Sequence, residues 1–472
     1  MPKRNFIWVL AILAATAVTL WVMRNQTPLS GVGGITEFEP VTEAYRQIRD
    51  GYYRRVNNQE LRRGAVKGMM EAIRKLDKLD TYSQYIPPDE AEGIQDHVVE
   101  GKDSGLGLRL EIVDGQVKVV GSLRKSPAHK AGLTAGDRLL AVDGVPVDAN
   151  SLEKAERPLK GEVGTTAKLT LLRGGSVEPE AIWLTRAKFD IDTVQGLYQD
   201  RAEHWVYWGD PGRQAAYVRV REFGPNAAQH IKAAYGSIGR PKGLILDLRD
   251  NPGGLEQEAF ETADLFLSEG VIMTKIDRTG KPVAYVARAD GTYPPDVAVV
   301  ILINGKTASA AEIVAGAMRL HHRAILVGSR TLGKGCIQSM IPLKDDLGHI
   351  CLTTAEFLVG EDQDITRRPG SANWGVDPHV ALDIPPAFQD DLRKLRARAE
   401  VICPPLPSTI PATTRAGDPP DVVGQKIMKL DVQLALAAQL LQQPEEMKKI
   451  LEDAKRAAEK ARTTQGAAPG HD

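Results

Sequence analysis

Three residues able to carry acyl-transfer chemistry fall in one stretch, VAVVILINGKTASAAEIVAGAMRLHHRAILVGSRTLGKGCIQ, residues 297–338. A serine hydroxyl attacks a carbonyl only when a neighbour takes its proton. No G-x-S-x-G elbow with a downstream Asp and His accompanies Ser309. Lys334 can serve instead if its amine is neutral. That requires burial to lower its pKa from about 10.4 in water. Gly333 and Gly335 flank it and let the backbone approach closely. Gln338 has the same strand parity and could orient the amine. The bland alternative stays open at this point: Ser309 as a helix N-cap, Lys334 as a solvated loop lysine, Gln338 on the surface. Cys336 shares the parity of Lys334, but a thiol needs an activating base. His321, His322 and His349 are available as such a base, so a cysteine nucleophile stays open here beside the reading of Cys336 as filling a small slot.

The elements that must position these residues follow from apolar patterning. Val297 to Ile303 reads as a strand buried on both faces. Asn304-Gly305-Lys306 break it, and Ala310 to Leu320 has helical spacing. Ala324 to Val327 is the next strand, followed by the glycine loop of Lys334. Ser309 thus stands at a helix N-terminus, where free N–H groups and the dipole favour negative charge. Upstream, Ala215 to Phe223 reads as an alternating strand, Asn226 to Gly236 as a helix, Gly243 to Leu248 as a buried strand and Leu255 to Leu267 as a helix. Between the last two lies Arg249-Asp250-Asn251-Pro252-Gly253-Gly254, a turn that exposes backbone N–H groups. Acyl transfer needs such donors at the developing oxyanion. Asp247 and Arg249 read as a structural ion pair. Asp345 to Gly348 is a turn, and His349 to Val359 a returning strand.

Composition narrows the remainder. Apolar and charged contents of 42% and 26% are those of a globular chain, and 472 residues suffice for two or three domains. Net charge of −1 gives no electrostatic footprint for nucleic acid, and 5% aromatics argue against stacking platforms. Three cysteines make no disulfide framework, and no ligand spacing predicts a metal or cofactor.

Asn5 to Met23 carries no charge and lies between Lys3-Arg4 and Arg24. As a helix it is about 28 Å long, close to a bilayer core. We read residues 1–25 as a transmembrane anchor, with a cleaved signal segment as the rival. Basic residues before the run put the rest of the chain, catalytic part included, outside the cytoplasm. Residues 26–40 are a tether. Residues 41–96 are a helical segment with a break near Asn57-Asn58. Residues 97–188 are short strands separated by turns. Residues 389–472 are a Pro-rich linker, charged helices suited to docking on a second subunit, and a disordered tail.

TASAAEIVAGAM, HRAILVGSRTLGKGCIQ and LILDLRDNPGG together resemble the C-terminal processing peptidases, or tail-specific proteases. The resemblance implies Ser309 as nucleophile, Lys334 as base and Gln338 beside it. It implies oxyanion donors from Gly253 or Gly254 and from Ala310. Ala311, Cys336 and Leu320 depart from the family pattern. SPAHKAGLTAGDRLLAVDG resembles a PDZ domain, in which a peptide adds as a strand to a sheet edge. Gly105-Leu106-Gly107-Leu108 would hold the terminal carboxylate, with Leu106 and Leu108 flanking the pocket for the last side chain. The implied fold is an α/β catalytic core of ClpP/crotonase-like strand-turn-helix units over residues 189–388, with an inserted PDZ domain and helical terminal segments. The implied function is a serine endopeptidase cleaving proteins with exposed C-termini, through an acyl-enzyme. Homodimer formation is a further expectation. An idle PDZ adaptor with a protease-like body is the alternative. A crotonase-like acyl-thioester enzyme is a third, which has no need of the serine and lysine.

Overall fold

A computed structural model describes residues 36–465 apart from 175, 201, 209–214, 240, 290–292, 294–295 and 402–419. The expected anchor at residues 1–25 and the C-terminal tail fall outside these residues. Among the described residues no helix is long and apolar enough to cross a membrane. The chain divides at Ala72 into two units. The first contains the helix Glu39–Gly51 and most of the helix Asn58–Leu76, on either side of the predicted break.

The second unit is built on a six-stranded sheet in the order Val194–Gln195, Ala215–Val220, Gly243–Asp247, Ala298–Ile303, Ile325–Gly328, Val380–Ala381. Pairing is parallel except at the first edge. Both faces are covered, which is why the central strands are runs of Val, Ile and Leu. The helices Ala227–Ile238, Glu256–Asp264 and Ala310–Leu320 pack on one face. Val423, Ile427, Leu434, Ala437 and Leu440 of the C-terminal helices pack on the other. Each such buried side chain contributes roughly 1.5–3 kcal/mol. The C-terminal helices therefore bury their apolar faces within their own chain. The strand Ala215–Val220 is also buried at every position instead of alternating. Its polar members find partners across the sheet face: the Tyr217 hydroxyl donates to Asp247 and Arg219 pairs with Glu400.

A second sheet joins Gln84–Ile86, His349–Val359, Val271–Asp277 and Pro282–Val286, with Cys336–Pro342 also on His349–Val359. This sheet carries the segment that follows Lys334. The PDZ region has its own antiparallel sheet, Leu108–Val113, Gln116–Ser122, Arg138–Val142, Thr166–Leu172 and Glu180–Thr185, and its own core. Lys102–Gly105 pairs with Ala187–Asp190, so the two ends of the insertion leave side by side.

Candidate active site

The strand Ala298–Ile303 delivers the chain into a fastened corner. Thr307 Oγ1 donates to Leu248 O (2.8 Å), and Ala308 N donates to Asn251 O (3.0 Å). Ser309 follows with φ 55° and ψ −121°. A non-glycine residue so placed costs about 1–3 kcal/mol and persists only where the surroundings impose it. Here Thr307, Ala308 and Ala310 are all buried, and the helix Ala310–Leu320 starts at once. Ser309 itself is half-buried at the end of the elbow.

Glu312, fully buried, ties this elbow to the lysine loop. Its Oε2 accepts from Ser309 N and from Lys334 N, both at 2.8 Å. Its Oε1 accepts from Gly333 N (2.7 Å) and Thr331 Oγ1 (2.5 Å). Two backbone nitrogens on one oxygen atom set Ser309 and Lys334 side by side. Burial pushes the Glu312 carboxyl above its ordinary value, and the four donors pull the other way without cancelling it. Sequence reasoning passed over Glu312. Its signal was present: Ser309-x-x-Glu312 is a capping-box spacing before an apolar helix.

The side chains of the predicted base cluster are arranged differently from expectation. The Lys334 amine lies over the Tyr82 ring, 4.7 Å from its centroid, and among the described residues it makes no hydrogen bond to Ser309. Gln338 does not orient it. The Gln338 amide donates to Cys336 Sγ (3.1 Å) and Thr353 Oγ1 (3.3 Å), because its strand pairs Gln338 with Thr353. Burial raises the Cys336 thiol, so it is a poor thiolate source. Tyr82, Lys334, Cys336, Glu356, Arg367 and Trp374 line a cavity of about 570 Å³. Tyr82 belongs to residues 41–96, read from sequence as a helical segment. Asp80 fastens it by accepting from Tyr82 N, Ser83 N, Ser83 Oγ and Thr353 Oγ1.

The Asn-Pro-Gly-Gly turn abuts the elbow. A Cβ on Gly253 (φ 111°) would lie 2.8 Å from Ser309 Cβ, so only glycine fits. Gly253 N is, however, spent within the turn, donating to Asn251 Oδ1 at 2.8 Å. That removes Gly253 from the oxyanion donors in this conformation. Gly254 N and Ala310 N have no acceptor among the described residues and are the pair left available. A buried ion cluster braces the turn from behind. Arg249 pairs with Asp247 (2.6 Å) and Asp431 (2.8 Å), and Arg396 pairs with Asp431 (2.8 Å). Burial alone would raise both carboxyls, but the charge and hydrogen bonds of Arg249 outweigh it and hold them well below the usual range.

In the PDZ region Leu106 and Leu108 are core residues, 0% and 5% exposed. Leu106 N donates to Leu159 O, so one N–H of the Gly105–Leu108 loop is already engaged. Gly107 packs so closely on Ser126 that a Cβ would be 2.2 Å away. Arg124 and Lys125 pair with Asp192 and Asp190.

A strained serine at a helix N-terminus, a lysine loop beside it and free backbone donors define the site of an acyl-transfer enzyme. Residues 214–382 match the model of peptidase family S41, and residues 119–173 that of a PDZ domain. The chain is 30% identical over 389 residues to the carboxy-terminal processing protease CtpA of Bacillus subtilis, covering 81% of this chain and 78% of that one. It is 32% identical over 343 residues to the carboxyl-terminal-processing protease of Synechocystis sp., covering 72% and 75%. Among solved structures, the photosystem II D1 C-terminal processing protease matches with a TM-score of 0.40 at 26% identity, over 77% of this chain and 97% of that one. The chain belongs to peptidase family S41 and is a serine peptidase of the C-terminal processing type.

Proposed function

We propose that Ser309 and Lys334 form the catalytic dyad of an endopeptidase that cleaves unfolded protein tails. The carrying observation is the Glu312 carboxylate, which holds the backbone of both residues on one oxygen atom. Ser309 Oγ attacks the scissile carbonyl carbon, and its proton passes to the neutral Lys334 amine. The carbonyl π pair moves to oxygen, where Ala310 N–H and Gly254 N–H receive it. Collapse breaks the C–N bond, and Lys334 returns the proton to the leaving amine. A water molecule, deprotonated by Lys334, then hydrolyses the acyl-enzyme and frees Ser309.

The PDZ domain supplies tail recognition. Its strand Leu108–Val113 is the last in the sheet, so its outer edge has no strand partner among the described residues. Such an edge takes a peptide by strand addition, and Gly105 and Gly107 lie at its entry. Tail binding there requires the Leu106–Leu159 bond to open. The uncharged run at residues 5–23 supports an extracytoplasmic, membrane-anchored enzyme, testable by protease protection of sealed vesicles.

Labelling with a fluorophosphonate followed by peptide mapping tests the dyad. Label on Ser309 that is lost in Lys334→Ala supports it, and undiminished label in Lys334→Ala rules it out. Substrates with and without their C-terminal residues test the PDZ role. Equal turnover of the two counts against it.

A further inference from the structure

The cavity beside Lys334 holds a feature that the dyad does not use. Lys334 is half-buried, yet its amine takes neither the serine nor Gln338 as partner and rests on the Tyr82 ring. An aromatic face attracts a lysine amine, and an amine resting there makes no hydrogen bond to the serine. The ring cannot drift away freely. Asp80 gathers Tyr82 N, Ser83 N, Ser83 Oγ and Thr353 Oγ1, and Gln84–Ile86 pairs antiparallel with His349–Cys351 of the long strand. Thr353 also accepts from Gln338, so the segment bearing the ring and the residue expected to orient the amine are fastened to the same strand. Tyr82 is itself half-buried. Burial raises its hydroxyl above the usual value, so the ring stays neutral beside the lysine.

We propose that Tyr82 is a positioning residue for Lys334. Its ring parks the amine away from Ser309 in the unliganded enzyme, and a polypeptide filling the cavity displaces the ring and releases the amine to the serine. The proposal rests on the Ser309–Lys334 reading. It differs from tail recognition by the PDZ domain because the latch lies in the cavity beside the base, on a segment N-terminal to the PDZ insertion.

The test is the rate at which a small fluorophosphonate labels Ser309 in the full chain. The probe is too small to fill the cavity, so it reads the parked state. Tyr82→Leu should label roughly two- to five-fold faster, the range a partly exposed cation–π contact spans. Tyr82→Phe keeps the ring and should restore the slow rate. Tyr82→Trp, with the stronger ring face, should label about two-fold more slowly. At saturating concentrations of an unfolded polypeptide the gain in Tyr82→Leu should shrink, because substrate has already displaced the ring. A residue with a merely structural role would not produce this ordering or this dependence on probe size. Labelling of Tyr82→Leu at or below the wild-type rate, with Tyr82→Trp no slower, overturns the latch. The Trp variant keeps the test readable should the Leu variant loosen its loop. Lys334→Ala labelled at the wild-type rate would instead remove the dyad. A silent Lys334→Ala with an unresponsive Tyr82 series removes the latch alone.

Discussion

The two halves of the site are held by different forces. On the nucleophile side, Ser309 sits in a strained elbow between buried neighbours, and the Asn251–Gly254 turn is braced by fully buried ions. On the base side, Lys334 and Gln338 are half-buried, and their side chains contact other side chains, the ring of Tyr82 and the hydroxyl of Thr353. Glu312 spans the divide, but it grips only the backbone of the lysine loop. In the proposed dyad the Ser309 elbow is therefore fixed by its backbone and buried neighbours, whereas the Lys334 amine rests only against a side chain. Preorganised dipoles cost no reorganisation during reaction. A lysine that chooses its position can be controlled.

Substitutions can break or sharpen that contrast. Ser309→Ala should show the largest effect, a loss of turnover on an unfolded substrate of roughly a thousand-fold or more, with stability little changed, since alanine keeps the Cβ and the same elbow strain. Asp431→Asn removes one partner from a buried ion cluster and should cost about 3–5 kcal/mol of unfolding free energy in denaturant titrations. A cost under about 1 kcal/mol would show that the C-terminal helices do not brace the turn. Glu312→Gln should cost about 2–3 kcal/mol, since an amide NH2 in place of one oxygen leaves two of the four donors without an acceptor. It should also slow Ser309 labelling, because both halves lose their common anchor. Gln338→Ala should be mildest, changing turnover by no more than about three-fold, about 0.65 kcal/mol. A hundred-fold loss there would mean that Gln338 leaves Thr353 to serve the lysine during catalysis.

The pH dependence separates the two buried anchors by sign. Asp431 has a lowered folded value, so its contribution is present above the ordinary aspartate range and lost as pH falls through the folded value. The stability advantage of wild type over Asp431→Asn should shrink below about pH 4. Glu312 has a raised folded value, so its titration favours folding below the ordinary glutamate range, and that contribution is lost as pH rises through the folded value. The advantage over Glu312→Gln should shrink in the opposite direction, with rising pH. Parallel trends in urea melts across the acid range would contradict this assignment.

Sequence alone determined the strand-turn-helix unit around Ser309. The apolar run, its Asn-Gly break and the alanine-rich helix are local signals, and the helix lies at Ala310–Leu320 as expected. The Asp247–Arg249 pair and the Pro-Gly-Gly turn were legible for the same reason. Tertiary structure decided what lies across space. The acceptor of Gly253 N, the partner of the Gln338 amide and the ring beneath Lys334 depend on strand pairings and loops remote in the chain. So does the burial of the C-terminal helices, whose apolar faces announce that they need a partner without saying which one. Periodicity encodes which face of an element is apolar, because that follows from bond geometry within a few residues. Which side chain meets which across an interface depends on how whole elements pack, and no short window of residues contains that information.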